Sequence, residues 1–444
     1  LLTPDDYGLI GMITIFLSIS DVFINAGFGQ AFIQKKNATY QDANTVFFIN
    51  LFLGIGIYII FWFCAPLISQ FFNQPILTTL VRIFFVVIII NSLNIIQQSI
   101  IRKELLFKKR ATITILSSTI SGIIGIFCAY YGLGVWSLVI QQIYNKIILC
   151  VLFYYTSSWR PSFEFSKESA KAMFGFGSWL MVSNFMIAVF NQFYRFFIGK
   201  TFSSEQLGLY DRAQQFESMI ADTFTWVIAQ VAFPVFSKIQ DDTKEIEKTI
   251  VGFIRFSTFV VFPLLAILFV ISEPLILLLL TEKWAKTISL LKSFCLVGLM
   301  KPIYKFFGPM LQGLGHSKLD MMFTALLSIG RVLNVLITYR HGLQYIIIGE
   351  FFVLLFGIII ISICAKNKIN FNFLTLFWVV KWNGVATLII TVLGLFLISL
   401  PKTHIFQILF SSLTMGLAYL AIMRIFDKNL FFSLKSIILK QNRN

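Results

Sequence analysis

Long apolar stretches follow one another along the whole chain, with short polar breaks between them. A helix needs about 20 mostly apolar residues to cross the hydrocarbon core of a bilayer. The pattern therefore predicts thirteen membrane-spanning helices and no sizeable soluble domain. They lie near residues 7–31, 43–69, 76–100, 111–131, 134–156, 171–199, 207–235, 246–272, 285–312, 319–340, 343–365, 376–400 and 403–424.

The composition agrees with this pattern. Charged residues make up 13% of the chain and hydrophobic residues 57%, with a mean hydropathy of +0.83, whereas a typical soluble domain is about a quarter charged. The five cysteines and three histidines are isolated from one another, so neither a disulfide framework nor a zinc site is predicted. The predicted fold class is an all-α integral membrane protein without a cofactor.

The net charge of +16 comes from cations that lie mostly on one side of the predicted membrane. We assign the polar breaks alternately to the two sides of the membrane. One side then carries only Lys200, Lys283, Lys286, Arg340 and Lys402. The opposite side carries the remaining lysines and arginines of the breaks and those of the C-terminal tail. Because cytoplasmic loops are rich in lysine and arginine, the tail is predicted to be cytoplasmic. The charge thus indicates topology, not a nucleic-acid partner.

A short motif is repeated about 200 residues apart. The segment LTPDDYGL at 2–9 resembles FSSEQLGL at 202–209. Six spans separate the copies, and an even number keeps both copies in the same orientation. The repeat therefore predicts two pseudo-symmetric six-helix bundles, related by an axis along the membrane normal, with a cavity between them. A chance likeness between two loops is the alternative.

The same repeat predicts the domain boundaries. A full span precedes the second copy and none precedes the first, so we expect one more helix ahead of Leu1 and fourteen in the intact protein. The first bundle is predicted at 1–156 and the second at 157–365. Two further helices and a basic cytoplasmic tail are predicted at 366–444.

Several motifs, in their order and spacing, resemble the Wzx-type polysaccharide flippases of the multidrug/oligosaccharidyl-lipid/polysaccharide exporter superfamily. They are LTPDDYG at 2–8, GFGQAFIQKK at 27–36, RKELLF at 102–107, GLGVWSLV at 132–139, SWRP at 158–161, GLYDRA at 208–213 and FPVFSKIQD at 233–241. The resemblance covers nearly the whole chain and is most specific over residues 1–240.

The resemblance implies fourteen helices and a location in the bacterial inner membrane. It also implies a cargo, undecaprenyl-pyrophosphate-linked oligosaccharide, which such proteins move from the cytoplasmic to the periplasmic leaflet. Membrane lipids, a polysaccharide polymerase and a chain-length regulator are the implied partners. The chain departs from the family at 194–200, where it reads YRFFIGK and the family often carries an aspartate before such a run.

Charged residues inside the predicted spans are the candidate functional residues. A charge at the bilayer centre costs about 3 kcal/mol or more, so such residues normally face a wet cavity or an ionic partner. Arg195 and Arg212 could instead extend to the headgroups. The cations are Arg82, Lys146, Arg195, Arg212, Arg255, Lys292, Lys301, Lys305, Arg331 and Lys381, and the clearest acids are Asp21, Glu217, Asp222 and Glu350.

Arginine and lysine donate strong hydrogen bonds to phosphate oxygens, so the cations predict a site for an anionic diphosphate. The residues predicted to bind it are Arg82, Lys146, Arg195, Arg212, Lys301 and Arg331. A buried carboxylate can link an ion gradient to transport by taking up H+ or Na+, and salt bridging to a nearby cation is the alternative. The residues predicted for ion coupling are Asp21, Asn25, Glu217 and Asp222.

Two other functions stay open at this point. An antiporter for drugs or small cations would need an acidic cavity, which the excess of intramembrane cations disfavours. A scaffold that binds glycan lipid without moving it would favour large loops, and the breaks here are short. Without a Walker A motif or a plausible catalytic triad, the chain is predicted to be a transporter and not an enzyme.

Overall fold

The computed structural model describes residues 1–25, 29, 32–33, 38–104, 106–157, 159–239, 242–314, 317–369, 373–400 and 403–427. These residues form α-helices joined by short connections and two 3₁₀ turns, with no β-strand among them. The first helices are α1 Pro4–Asn25, α2 Tyr40–Phe72, α3 Leu77–Phe84, α4 Val86–Lys103, α5 Phe107–Tyr130, α6 Val135–Thr156, α7 Lys167–Thr201 and α8 Ser204–Lys238. The others are α9 Thr243–Leu280, α10 Thr287–Gly298, α11 Lys301–Tyr304, α12 Phe307–Gly313, α13 Ser317–Thr338, α14 Leu343–Ile369, α15 Phe373–Ile398 and α16 His404–Phe426.

Eleven segments of the described chain are long and apolar enough to cross a membrane. Each coincides with one of the thirteen predicted spans. The two other predictions, 171–199 and 207–235, fall in α7 and α8, which are 35 residues long each and are not among the eleven. The chain is therefore a multi-pass membrane protein.

Two predicted spans are interrupted helices. The span predicted at 76–100 breaks between α3 and α4 at Phe85. The span predicted at 285–312 consists of α10, α11 and α12, with breaks at 299–300 and 305–306. Pro302 and Pro309 lie in this second span, and proline removes a backbone hydrogen bond and crowds the preceding turn. Broken membrane helices expose backbone groups and are common at transporter binding sites.

Residues Leu1–Gly208 form the first of two compact units. Within it α5 packs on α6, α2 on α4, and α1 on α7. The connection after α6 folds back on the start of α2, where Trp159 joins a buried cluster with Val46 and Phe47. The Ser162 N–H also donates to Asn44 Oδ1 at 3.2 Å. The unit thus includes α7.

The two copies of the repeated motif are both helix starts. At α1, the Thr3 N–H donates to Asp6 Oδ2 at 2.8 Å and the Asp6 N–H donates to Thr3 Oγ1 at 3.3 Å. At α8, the Gln206 N–H donates to Ser203 Oγ at 3.2 Å. A hydroxyl that caps the N–H three residues later is a common helix-start signal. The likeness between the copies therefore has a structural cause.

The two helix starts also touch each other inside this unit. A Cβ atom added to Gly8 would lie 1.7 Å from the Ser204 carbonyl oxygen, and one added to Gly208 would lie 1.8 Å from the Pro4 carbonyl oxygen. Each glycine thus meets the residue that opens the other helix. The contact needs glycine at both positions because the two backbones are in van der Waals contact.

Residues Leu209–Asn444 form the second unit. Here α9 packs on both α15 and α16, and α13 packs on α14. The contact of α9 with the last two helices is a cluster of buried apolar side chains that includes Val270, Ile390 and Met415. Helices in a membrane associate through close packing because lipid is as apolar as the side chains. Helices α15 and α16 therefore pack as part of this unit.

Candidate functional site

Four charged side chains of the second unit form one ion cluster, which we call the α8 cluster. Lys301 Nζ lies 2.7 Å from Glu217 Oε2 and 3.0 Å from Asp222 Oδ2. Lys305 Nζ also donates to Asp222 Oδ1. Both acids come from α8, whereas both lysines come from the broken span of α10 to α12. The cluster contains two acids and two lysines and is formally neutral.

The helix breaks place the two lysines. Lys301 is the first residue of α11 and Lys305 follows its last residue. The Lys305 N–H donates to the Lys301 carbonyl oxygen at 3.1 Å, which keeps both side chains on one face, four residues apart. The local sequence KPIYK thus delivers two ammonium groups to one carboxylate, that of Asp222.

Exposure rises steadily across the α8 cluster. Glu217 has 0% of its side chain exposed, Lys301 14%, Lys305 30% and Asp222 39%. Glu217 Oε1 has no hydrogen-bond partner among the described residues. A Cβ atom added to Gly298 would lie 2.5 Å from that oxygen, so glycine there makes room for the carboxylate. The cluster therefore has a buried end at Glu217 and an accessible end at Lys305 and Asp222.

A second ion pair of this unit joins α13 to α14. Arg331 Nε lies 3.0 Å from Glu350 Oε1, with both side chains mostly buried. One turn further along α13, Asn334 Nδ2 donates to the Ile346 carbonyl oxygen at 2.9 Å. These bonds hold the two helices together at a polar seam, so Arg331 has a structural role whatever else it binds.

The first unit contains a polar cluster of three helices. Asn91 Nδ2 of α4 donates to Asp21 Oδ1 of α1 at 3.1 Å. Lys146 of α6 exerts an attractive Coulomb interaction on the same carboxylate. Asn25, predicted to act with Asp21, has its side chain outside the described part of the chain.

The other predicted cations contact aromatic rings or amides. The Arg82 guanidinium lies 5.1 Å from the centre of the Trp62 ring, and its Nε donates to the Trp62 carbonyl oxygen at 3.4 Å. Arg195 Nη1 donates to a glutamine one turn earlier at 3.3 Å. Arg212 lies 5.9 Å from the Trp284 ring centre. Cation–π contacts of this kind stabilise a charge that has little water around it.

The six cations predicted to bind substrate are thus divided between the units. Arg82, Lys146 and Arg195 belong to the first, whereas Arg212, Lys301 and Arg331 belong to the second. Their role in binding stays a prediction. What the structure brings together is Lys301 with two of the three acids predicted for ion coupling, Glu217 and Asp222.

The sequence did not identify two members of the ion pairs, Lys305 and Asp427. Lys305 was recognised as an intramembrane cation but not as part of a site, although its spacing from Lys301 and the prolines nearby were visible signals. Arg255 Nε donates to Asp427 Oδ2 at 2.8 Å, and Asp427 lies just beyond the last predicted span. Among the described residues, at least four of the ten intramembrane cations are therefore paired with acids, and Asp427 is a partner that the list of intramembrane acids did not include.

Both the sequence and the fold of this chain match known proteins. A family model described as "Polysaccharide biosynthesis protein" matches residues 1–289. The chain is 26% identical over 303 residues to "Teichuronic acid biosynthesis protein TuaB" of Bacillus subtilis (strain 168), which covers 68% of this chain and 62% of that protein. It is 24% identical over 323 residues to "Lipopolysaccharide biosynthesis protein WzxC" of Escherichia coli (strain K12), with 71% and 64% covered. The matches thus span somewhat less than two thirds of these relatives.

A solved structure has the same fold. The chain matches "Lipid II flippase MurJ, inward closed conformation" with a TM-score of 0.73 and 17% identity, over 97% of this chain and 94% of that one. At this identity the likeness is evidence of fold alone. It confirms the all-helical membrane fold predicted from the sequence.

Proposed function

Because this chain belongs to the polysaccharide biosynthesis protein family, we propose that it moves undecaprenyl-pyrophosphate-linked oligosaccharide repeat units across the inner membrane of a bacterium. Transport by alternating access would supply O-antigen, capsule or exopolysaccharide synthesis. The names of its relatives refer to teichuronic acid and lipopolysaccharide biosynthesis, and the matching structure is that of a lipid II flippase. We place the C-terminus in the cytoplasm, on the basis of the lysine and arginine distribution.

The α8 cluster is the observation that carries the proposal. Its two lysines lie at breaks in a membrane helix, and its more exposed carboxylate, Asp222, accepts hydrogen bonds from both. A diphosphate carries the same kind of oxygen acceptors as a carboxylate. We propose that the cargo diphosphate replaces Asp222 at Lys305 and Lys301, while Glu217 keeps Lys301 in place. Arg82, Lys146, Arg195, Arg212 and Arg331 are proposed as further cation contacts.

Gene deletion tests the function itself. Cells that lack the full-length gene are expected to accumulate carrier-linked repeat units on the cytoplasmic leaflet and to lose the surface polymer. Normal surface polymer in the deletion strain would overturn the proposal. Accumulation on the periplasmic leaflet would instead indicate a scaffold or partner of the polymerase and chain-length regulator.

Lys305→Gln tests the proposed site. We expect export of the polymer to fall roughly tenfold or more, because a hydrogen bond to a charged group contributes about 1.5–3 kcal/mol. The measurement is the rate of surface polymer synthesis in the deletion strain carrying the variant. Lys292→Gln is the matched control, since Lys292 belongs to the same broken span but lies over the Phe269 ring, 5.8 Å from its centre. Equal export by the two variants would contradict this role of Lys305.

Asp21 and Glu217 are proposed to couple transport to a gradient of H+ or Na+. We expect Asp21→Asn to insert normally, because asparagine can still bond to Asn91, and to export cargo without dependence on the gradient. Export into membrane vesicles, with the proton or sodium gradient imposed or absent, measures this. Asp320→Asn is the control, since Asp320 also accepts an amide hydrogen bond, from Gln312 at 2.7 Å, but lies near the start of α13. Unchanged gradient dependence of the Asp21 variant would exclude Asp21 from coupling.

A further inference from the structure

Lys381 of α15 is held between two tryptophan rings of its own helix. Its Nζ lies 3.7 Å from the Trp378 ring centre and 4.7 Å from the Trp382 ring centre. Trp378 and Trp382 are four positions apart and share one side of the helix, and the lysine side chain lies against both rings. In the described part of the chain no carboxylate pairs with Lys381. Its charge is stabilised by the two rings and is not neutralised.

The depth of this lysine follows from the end of α16. The Trp382 ring stacks on Phe426, with centres 4.7 Å apart, and Phe426 is the last residue of α16. With 23 residues, α16 is about 35 Å long at 1.5 Å per residue, slightly more than the hydrocarbon thickness of about 30 Å. Its end therefore reaches the headgroup region, and Lys381 lies at the same level.

Exposed aromatic side chains and a second cation lie near Lys381. Phe377 and Trp378 are each 61% exposed, and because they precede Lys381 on α15 they lie on its headgroup side, where aromatic rings favour the membrane interface. Arg424, exposed near the end of α16, adds a second cation at this level. Asp427, just after that end, is bonded to Arg255. A surface with cations beside exposed aromatic rings at the interface is complementary to an anionic headgroup.

We propose that Lys381, Trp378 and Phe377 form a binding site for an anionic membrane phospholipid. The lysine ammonium binds the headgroup phosphate, and the two exposed rings pack beside the headgroup at the membrane interface. Trp382 stacks on Phe426 and thereby links the bound lipid to the packing of α15 on α16. The site is separate from the α8 cluster and does not depend on the transport function proposed above.

Lipid-dependent thermal stability tests this site. The purified full-length protein in neutral detergent is titrated with phosphatidylglycerol or with phosphatidylcholine, and the unfolding temperature is measured at each lipid concentration. We expect phosphatidylglycerol to stabilise the native protein at lower concentration than phosphatidylcholine. Lys381→Gln is expected to weaken this preference about fivefold, which corresponds to about 1 kcal/mol for one lysine near an anionic membrane surface. Lys381→Arg is expected to retain it.

Lys200→Gln provides the matched control. Lys200 also lies over an aromatic ring, 4.5 Å from the Phe71 ring centre, but its ammonium is bonded to the Phe71 carbonyl oxygen. This variant is expected to keep the full preference for phosphatidylglycerol. An equal preference in native protein and Lys381→Gln would overturn the proposal. If Lys381→Gln lost binding of farnesyl diphosphate but not of phosphatidylglycerol, the lysine would belong to a cargo site and the proposal would also be overturned.

Discussion

Replacing Lys301 with leucine is expected to destabilise the folded protein by about 3–5 kcal/mol, the cost of removing one partner from a buried ion pair. Glu217 is fully buried, and Lys301 is the cation bonded to it. The other lysine of the cluster, Lys305, is bonded to Asp222. The variant would leave the Glu217 carboxylate charged without a counter-ion. Fluorescence-detected size-exclusion chromatography after heating measures the loss of folded protein.

Two further variants test whether the loss of stability comes from the unpaired Glu217 carboxylate or from any substitution in this region. Lys305→Leu is expected to be much milder, because Asp222 is 39% exposed and can be solvated. Replacing both Lys301 and Glu217 with leucine is expected to recover most of the lost stability, since no buried charge is left unpaired. The explanation fails if Lys301→Leu and Lys305→Leu unfold at the same temperature.

Gly8→Ala and Gly208→Ala are expected to have the second largest effect. The new methyl group would lie within 2 Å of a backbone carbonyl oxygen in either variant, and the helix starts of α1 and α8 would have to move apart. Forcing extra atoms into a packed contact typically costs about 1–3 kcal/mol and sometimes more. The measurement is the unfolding temperature of the purified protein together with its yield from membranes.

Glycines with open surroundings supply the controls. Gly56 and Gly416 also lie in membrane helices, and a Cβ atom added to either meets nothing within 4 Å. Because alanine favours a helix more than glycine does, Gly56→Ala and Gly416→Ala are expected to be neutral or slightly stabilising. Stability of the Gly8 and Gly208 variants equal to that of these controls would show that the helix starts do not need the close contact.

The spans could be predicted from the sequence because the bilayer imposes a simple rule. Every backbone polar group in hydrocarbon must be bonded within the chain, so apolar stretches of sufficient length become helices. The rule determines the minimum length of a span and that it is helical, but not whether the helix is continuous. The break at Phe85 has no proline beside it, and the sequence pattern of 76–100 reads as one helix. In contrast, Pro302 and Pro309 were visible signals for the breaks around Lys301.

The individual residues of the candidate site could be predicted from the sequence, but the contacts between them could not. Intramembrane charges stand out against apolar neighbours, which is how Glu217, Asp222 and Lys301 were selected. Which charges meet depends on contacts between helices about 80 residues apart in the chain, and no local pattern records them. The pair of Arg255 and Asp427 shows the same limit, since its members are separated by 172 residues.

The family assignment succeeded for a different reason. The match to residues 1–289 confirms the resemblance recognised in the motifs, which are densest before residue 240. One of these motifs proved to be a capped helix start, with Thr3 and Asp6 bonded to each other. Such a motif fixes where a helix begins.

The neutrality of the α8 cluster has an electrical consequence. With two acids and two lysines, the empty cluster feels no net force from the voltage across the membrane. Under the proposed function a bound diphosphate would add negative charge, and each elementary charge moved through 100 mV gains or loses about 2.3 kcal/mol. A cell interior that is negative would then favour outward movement of the cargo-bound cluster, whereas the voltage would neither favour nor oppose the return of the empty cluster.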